Sequence, residues 1–103
     1  MDRALNAQTA EAVSSEVKVK VITIMREVNP LLKFSNKTER KAIEGLVGLL
    51  GEEKAIRAAE LAVEVSGEPY APVITTPWEL LHKLPKLVIF LRRREAEVKG
   101  VTI

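Results

Sequence analysis

Thr76-Pro77-Trp78-Glu79 is a helix start written in four residues. A threonine hydroxyl can accept from the backbone N–H three positions on, and the glutamate can reach back to the backbone N–H of the capping residue itself. A proline between them gives up only an N–H that has no partner at the first helical position. Leu80, Leu81, Leu84, Leu87, Val88 and Leu91 then recur at steps of three and four, the spacing of one helical stripe. Pro85 interrupts this run. A proline inside a helix removes one backbone bond and clashes with the carbonyl four residues back. The segment is therefore expected to kink or break near Lys83, giving helices over about 77–84 and 85–97. An apolar stripe of this width has to be covered by other elements, so the remaining chain must supply partners for it.

It offers three further helical segments. From about Thr9 to Val28, the residues Val13, Val17, Val21, Ile24 and Val28 form one stripe. Val17, Val19 and Val21 also alternate with Lys18 and Lys20, as strand residues do. Helix is the expected outcome, because no other segment offers a strand partner and a lone strand is not stable. Asn29-Pro30 ends this segment, and Leu31, Leu32 and Phe34 are expected to tuck into the core. Asn36 with Glu39 marks the start of a helix over 37–50, with Ile43, Leu46, Val47 and Leu50 on its buried side and Gly51 closing it. Gly45 and Gly48 would allow close packing. Glu52 and Glu53 suit the positive end of a helix over 52–66 lined by Ala55, Ile56, Ala59, Ala62 and Val63. Gly67 opens a loop stiffened by Pro69 and Pro72. The expected fold is all-α, a compact bundle of four to five helices in one domain over 9–97, with a flexible leader over 1–8 and a flexible tail over 98–103.

The composition fits that fold: 47% of the 103 residues are apolar and 29% charged, and only 4% are aromatic, so the core is aliphatic. There is no cysteine, which excludes disulfides and thiolate metal sites and fits a reducing cytoplasm. The first residues carry no apolar run behind their charges, unlike a signal peptide. The longest apolar run, Leu87 to Leu91, falls far short of the roughly 20 residues of a membrane span. Catalytic constellations are absent from the pattern. His82, the single histidine, has only Glu79 near it in sequence and reads as a surface or partly packed residue. Glu52 and Glu53 read as helix-start acids rather than metal ligands, and the glycines at 45, 48 and 51 lack the spacing of a phosphate loop. No enzyme activity, cofactor or metal is expected.

Charge is more informative in its distribution than in its net value of +2. Glu52 to Glu68 contains five acids and two bases, whereas Glu79 to Lys99 contains six bases and three acids. Lys83, Lys86, Arg92, Arg93 and Arg94 can stabilise a helix C-terminus, or they can bind phosphate. At about 100° per residue the three arginines fan around the helix, so only one or two could join Lys83 and Lys86. Tyr70 and Trp78, the only tyrosine and tryptophan, bracket the proline-stiffened loop. Each ring can anchor that loop to the bundle or offer a stacking surface to unpaired bases.

Tyr70, Ile74 and Trp78 satisfy a Tyr-x-x-x-Ile-x-x-x-Trp pattern, and the chain thereby resembles the DnaD-like replication-initiation domain of Gram-positive bacteria and their phages. Glu27-Val-Asn-Pro30, Thr38-Glu-Arg-Lys-Ala42, Tyr70 to Pro77 and Lys86 to Arg92 extend the likeness to helical modules of phage and prophage replication proteins, over residues from about 22 to 94. The resemblance implies a DNA-binding accessory domain that helps load a replicative helicase or remodels single-stranded DNA. It assigns DNA contact to Tyr70, Ile74 and Trp78, with Lys83, Lys86, Arg92, Arg93 and Arg94 beside them. In that pattern the three residues usually share a helix, whereas Pro72 and Pro77 forbid a continuous helix from Tyr70 to Trp78. The acid-then-base layout supports an alternative without nucleic acid: a protein-interaction module, or self-association into a homo-oligomer.

Overall fold

The computed structural model describes residues 14–98, which form four α-helices and no strand. Helix α1 spans Ser15–Met25, α2 Lys37–Leu50, α3 Glu52–Glu64 and α4 Pro77–Val98. The all-α bundle expected from the hydrophobic periodicity is what these residues build.

The tendency of α1 towards a strand is overridden by packing. Val17, Val21, Ile22 and Met25 are buried on one side, while Val19 faces out. Ser14 caps the helix, its hydroxyl accepting from Val17 N–H at 3.2 Å. The expected start near Thr9 lies outside the described residues. The expected end at Val28 is three residues too late, because the chain tightens after Met25. Val28 N–H and Asn29 N–H both return to the Met25 carbonyl, at 3.1 and 3.0 Å. Asn29 then accepts from Leu31 N–H and donates to the Thr75 carbonyl, tying this turn to the loop before α4. Leu32 reaches the core, and Phe34 is half-buried beneath the Arg26 guanidinium, 5.3 Å from the ring centre. Leu31, expected inside, is 85% exposed. The turn that Asn29 forms points it away from the bundle.

Helix α2 starts as the sequence indicates, with the Asn36 side chain accepting from Glu39 N–H at 3.0 Å. Gly51 follows Leu50 with φ 87° and ψ 164°, a region that only glycine occupies without strain, so the chain turns directly into α3. Helix α3 presents Ala55, Ala58, Ala59 and Ala62 to the core, and α1 lies against this face of small side chains. Helix α4 is the spine of the fold. It packs mainly on α2, and also on α3 and α1. Gly45 permits the first contact: a β-carbon there would stand 3.1 Å from the Leu81 side chain. Gly48, expected to play the same part, borders open space.

Of the kink or break expected near Lys83, the break does not occur: α4 runs through Pro85 as one helix. Pro85 is exposed, while Leu80 and Leu87 on either side are fully buried and Leu84 and Leu91 are partly so. An internal proline costs a helix about 3 kcal/mol, and burying one leucine contributes about 1.5–3 kcal/mol. Leucines packed on both sides of the proline keep the helix continuous through it. The expected helices over 77–84 and 85–97 are therefore one element. Four helices, rather than five, make up the described bundle.

Candidate nucleic-acid interface

The N-terminus of α4 fixes everything that follows in the chain. Pro77 is buried and has no N–H to satisfy. Trp78 N–H donates to the Glu39 carboxylate of α2 at 2.8 Å, and Glu79 N–H to the Thr76 hydroxyl at 3.0 Å. The Leu80 N–H closes the first turn on the Thr76 carbonyl. The Glu79 carboxylate reaches past the cap and accepts from Thr75 N–H at 2.7 Å and from the Thr75 hydroxyl at 2.9 Å. The Thr75 N–H bond is the main reason that its carboxyl titrates below the usual range, with burial opposing the shift. Two carboxylates thus meet the positive end of the longest helix.

Upstream of this cap the loop is clamped at three successive residues. The Val73 carbonyl accepts from Lys83 at 2.7 Å, Ile74 is buried in the core, and the Thr75 carbonyl accepts from Asn29 at 3.2 Å. Before the clamp comes a tight turn over Glu68-Pro69-Tyr70-Ala71, closed by Ala71 N–H on the Glu68 carbonyl at 3.1 Å. Proline in the second position and a positive φ in the third are the marks of a type II turn, where glycine or asparagine is usual. The third position here is Tyr70, with φ 67° and its side chain 98% exposed.

This turn forms one wall of an open groove of about 630 Å³. Pro69, Tyr70 and Pro72 line that wall, and α4 supplies the other through Lys86, Ile89, Phe90 and Arg93. Those four lie at i, i+3, i+4 and i+7, one stripe of the helix. Arg94 and Glu68 close an end as an ion pair of 3.3 Å, and Arg94 also meets Glu64 at 3.4 Å. Among the described residues no ion pair involves Lys86 or Arg93. The groove therefore combines an apolar floor, an exposed phenol ring and two cations that have no acidic partner among the described residues.

Of the eight residues expected to contact DNA, Tyr70, Lys86, Arg93 and Arg94 come together here. The other four stand apart. Ile74 is inside the core and presents no surface. Lys83 is held by the Val73 carbonyl and lies 3.9 Å from Glu79. Arg92 is exposed but does not line the groove. Trp78 is 46% exposed and stacks on His82, ring centres 4.1 Å apart, about 12 Å along the helix from Lys86. Tyr70 does not anchor its loop; Ile74 does. Pro69, Pro72, Ile89 and Phe90 were not anticipated. The spacing of Lys86, Ile89, Phe90 and Arg93 could have exposed them, as a second stripe on a helix whose leucines drew attention to the first.

No helix among the described residues is long and apolar enough to cross a membrane, and they contain no cluster of three or more metal-ligating side chains. The fold and the groove define a small all-α domain with a cationic, aromatic-edged groove. No protein-family model, no curated protein and no solved structure matches the chain.

Proposed function

We propose that this domain binds single-stranded DNA in the groove between the Tyr70 turn and α4, as a non-enzymatic accessory of DNA replication. The observation that carries the reading is the backbone of Tyr70. A bulky residue in the left-handed region costs about 1–2 kcal/mol, and Tyr70 recovers nothing by packing, since its ring is in solvent. The fold does not need a tyrosine there, whereas a base-stacking surface does. Stacking on an aromatic ring is worth about 1–3 kcal/mol per base, and it requires a base whose face is free, as in a single strand. Lys86 and Arg93 supply two phosphate contacts along the same groove. The replication setting, with a replicative helicase as a further partner, follows from the resemblance to DnaD-like domains, and the lack of cysteine fits a cytoplasmic location.

The test is fluorescence anisotropy of a labelled oligothymidylate. Two phosphate contacts predict a salt slope of about −1.4, a loss of roughly sevenfold in affinity between 50 and 200 mM salt. Tyr70→Gly should weaken binding about tenfold or more while leaving the thermal midpoint unchanged or higher. Lys86→Glu with Arg93→Glu should abolish binding, whereas Arg92→Glu should reduce it little. Equal losses from Arg92→Glu and Arg93→Glu, or full binding by Tyr70→Gly, would falsify the assignment of the groove.

A further inference from the structure

The second half of α4 separates two surfaces. Leu84, Leu87, Val88 and Leu91 centre about 160° around the helix from Lys86, Ile89, Phe90 and Arg93, at about 100° per residue. On that other side α3 and α4 leave a cleft of about 230 Å³ between Leu50, Leu61, Leu84, Val88 and Leu91, and its wall is wholly apolar. Lys54 and Arg57 border it with their methylene stems, which leaves their charged ends at the rim. Arg92 lies one turn beyond Val88 on the same side of α4. Glu60 sits 3.3 Å from Arg57, an exposed pair of the kind that contributes little. Among the described residues, no ion pair involves Lys54 or Arg92.

We propose that this cleft docks an amphipathic helix of a partner protein, with apolar side chains in the cleft and carboxylates flanking them. The volume is below the roughly 300–1,000 Å³ of pockets that enclose a drug-sized molecule. It suits a row of aliphatic side chains instead. The cleft runs from Leu84 to Leu91, about 10 Å or two helical turns, which matches anchors at i, i+3 or i+4, and i+7 of a docked helix. A second copy of this chain fits less well. A two-fold interface sets the same patch against itself, so Lys54, Arg57 and Arg92 would face their own copies across an apolar seam. A nucleic acid fits less well still, because the cleft offers no ring for stacking and no polar wall.

Two labelled peptides of about 16 residues, long enough to form helix, make the test. Both carry leucines at i, i+3 and i+7; one is flanked by glutamates and the other by lysines. The glutamate peptide should bind with micromolar affinity and the lysine peptide at least about tenfold more weakly, a difference of about 1.4 kcal/mol. Val88→Glu should abolish binding of the glutamate peptide and leave oligothymidylate binding intact, which separates this proposal from the DNA reading. Val88 is 39% exposed, so the variant can keep its fold. Independently of Val88, Lys54→Glu with Arg57→Glu should reverse the preference between the peptides. The proposal is overturned if both peptides bind alike or neither binds at 100 µM (a dissociation constant of about 1 mM or weaker being no specific site). It is also overturned if the chain forms a dimer that Val88→Glu dissociates, since the second copy would then be the occupant.

Discussion

At the scale of single residues, the glycines separate what the fold requires from what it tolerates. Gly48 lies within α2 and borders open space. Alanine there lowers the backbone entropy of the unfolded chain without meeting a neighbour, and should add roughly 0.5–1 kcal/mol of stability. Gly51, at φ 87° and ψ 164°, should behave oppositely: Gly51→Ala is expected to cost about 1–3 kcal/mol. Urea unfolding of both variants measures the pair. Glu79 gives a pH prediction. Its carboxyl has a lower pKa in the folded chain than the ordinary 4.5, so on acidification the unfolded state takes up the proton first. The stability from its bonds to Thr75 is fully present above that value and is lost as pH falls through the depressed folded one. The difference in stability between wild type and Glu79→Gln should therefore be largest near neutrality and shrink below about pH 4.5, read by urea unfolding across pH. The capping residues were legible from sequence because their bonds are local. Glu39 was legible only in part: its N–H bond to Asn36 was expected, and its carboxylate on Trp78 N–H, 39 residues away, was not.

At the scale of elements, α4 carries the clearest lesson. Proline's penalty is local, while the burial that outweighs it depends on α2 and α3. Pro85→Ala restores a backbone donor on the solvent side and should raise stability by about 1–3 kcal/mol, checked by the thermal midpoint and by helical circular dichroism. Pro85 does not line the groove, so oligothymidylate binding by this variant should be unchanged. Helix α1 shows the same ordering in reverse. Its alternation of valine and lysine favours a strand, but burial of Val17, Val21, Ile22 and Met25 against the alanine face of α3 makes helix the outcome. The buried stripe differs from the expected one because Ile22 and Met25 are inside while Ile24 is only half-buried. Periodicity gives a helix but leaves its rotation open by about one residue, or 100°.

At the scale of the whole molecule, α4 places the two proposed surfaces back to back. A charge reversal at Arg93 and a charge introduced at Val88 act on different grooves, with no lining residue in common. Their effects should therefore add: Arg93→Glu with Val88→Glu should lose oligothymidylate and peptide binding together, each to the extent of its single variant. Titration with both ligands checks this. If the losses are not additive, the two grooves act as one site.

The sequence by itself determined the helix starts at Asn36 and Thr76, the turn at Gly51 and the all-α class, because caps, glycine conformations and helical periodicity depend on neighbours within a few residues. It also singled out eight candidate contacts, Tyr70, Ile74, Trp78, Lys83, Lys86, Arg92, Arg93 and Arg94. Only the tertiary structure decided which of the candidate contacts share a surface. Ile74 and Trp78 match the same sequence pattern as Tyr70, yet Ile74 is buried in the core and Trp78 stacks on His82. The turn closed between Glu68 and Ala71 sets Tyr70 against α4, 16 residues and more further along the chain. That pairing depends on how the loop is clamped by Asn29, Lys83 and the buried Ile74, and no local pattern encodes a contact made across the bundle.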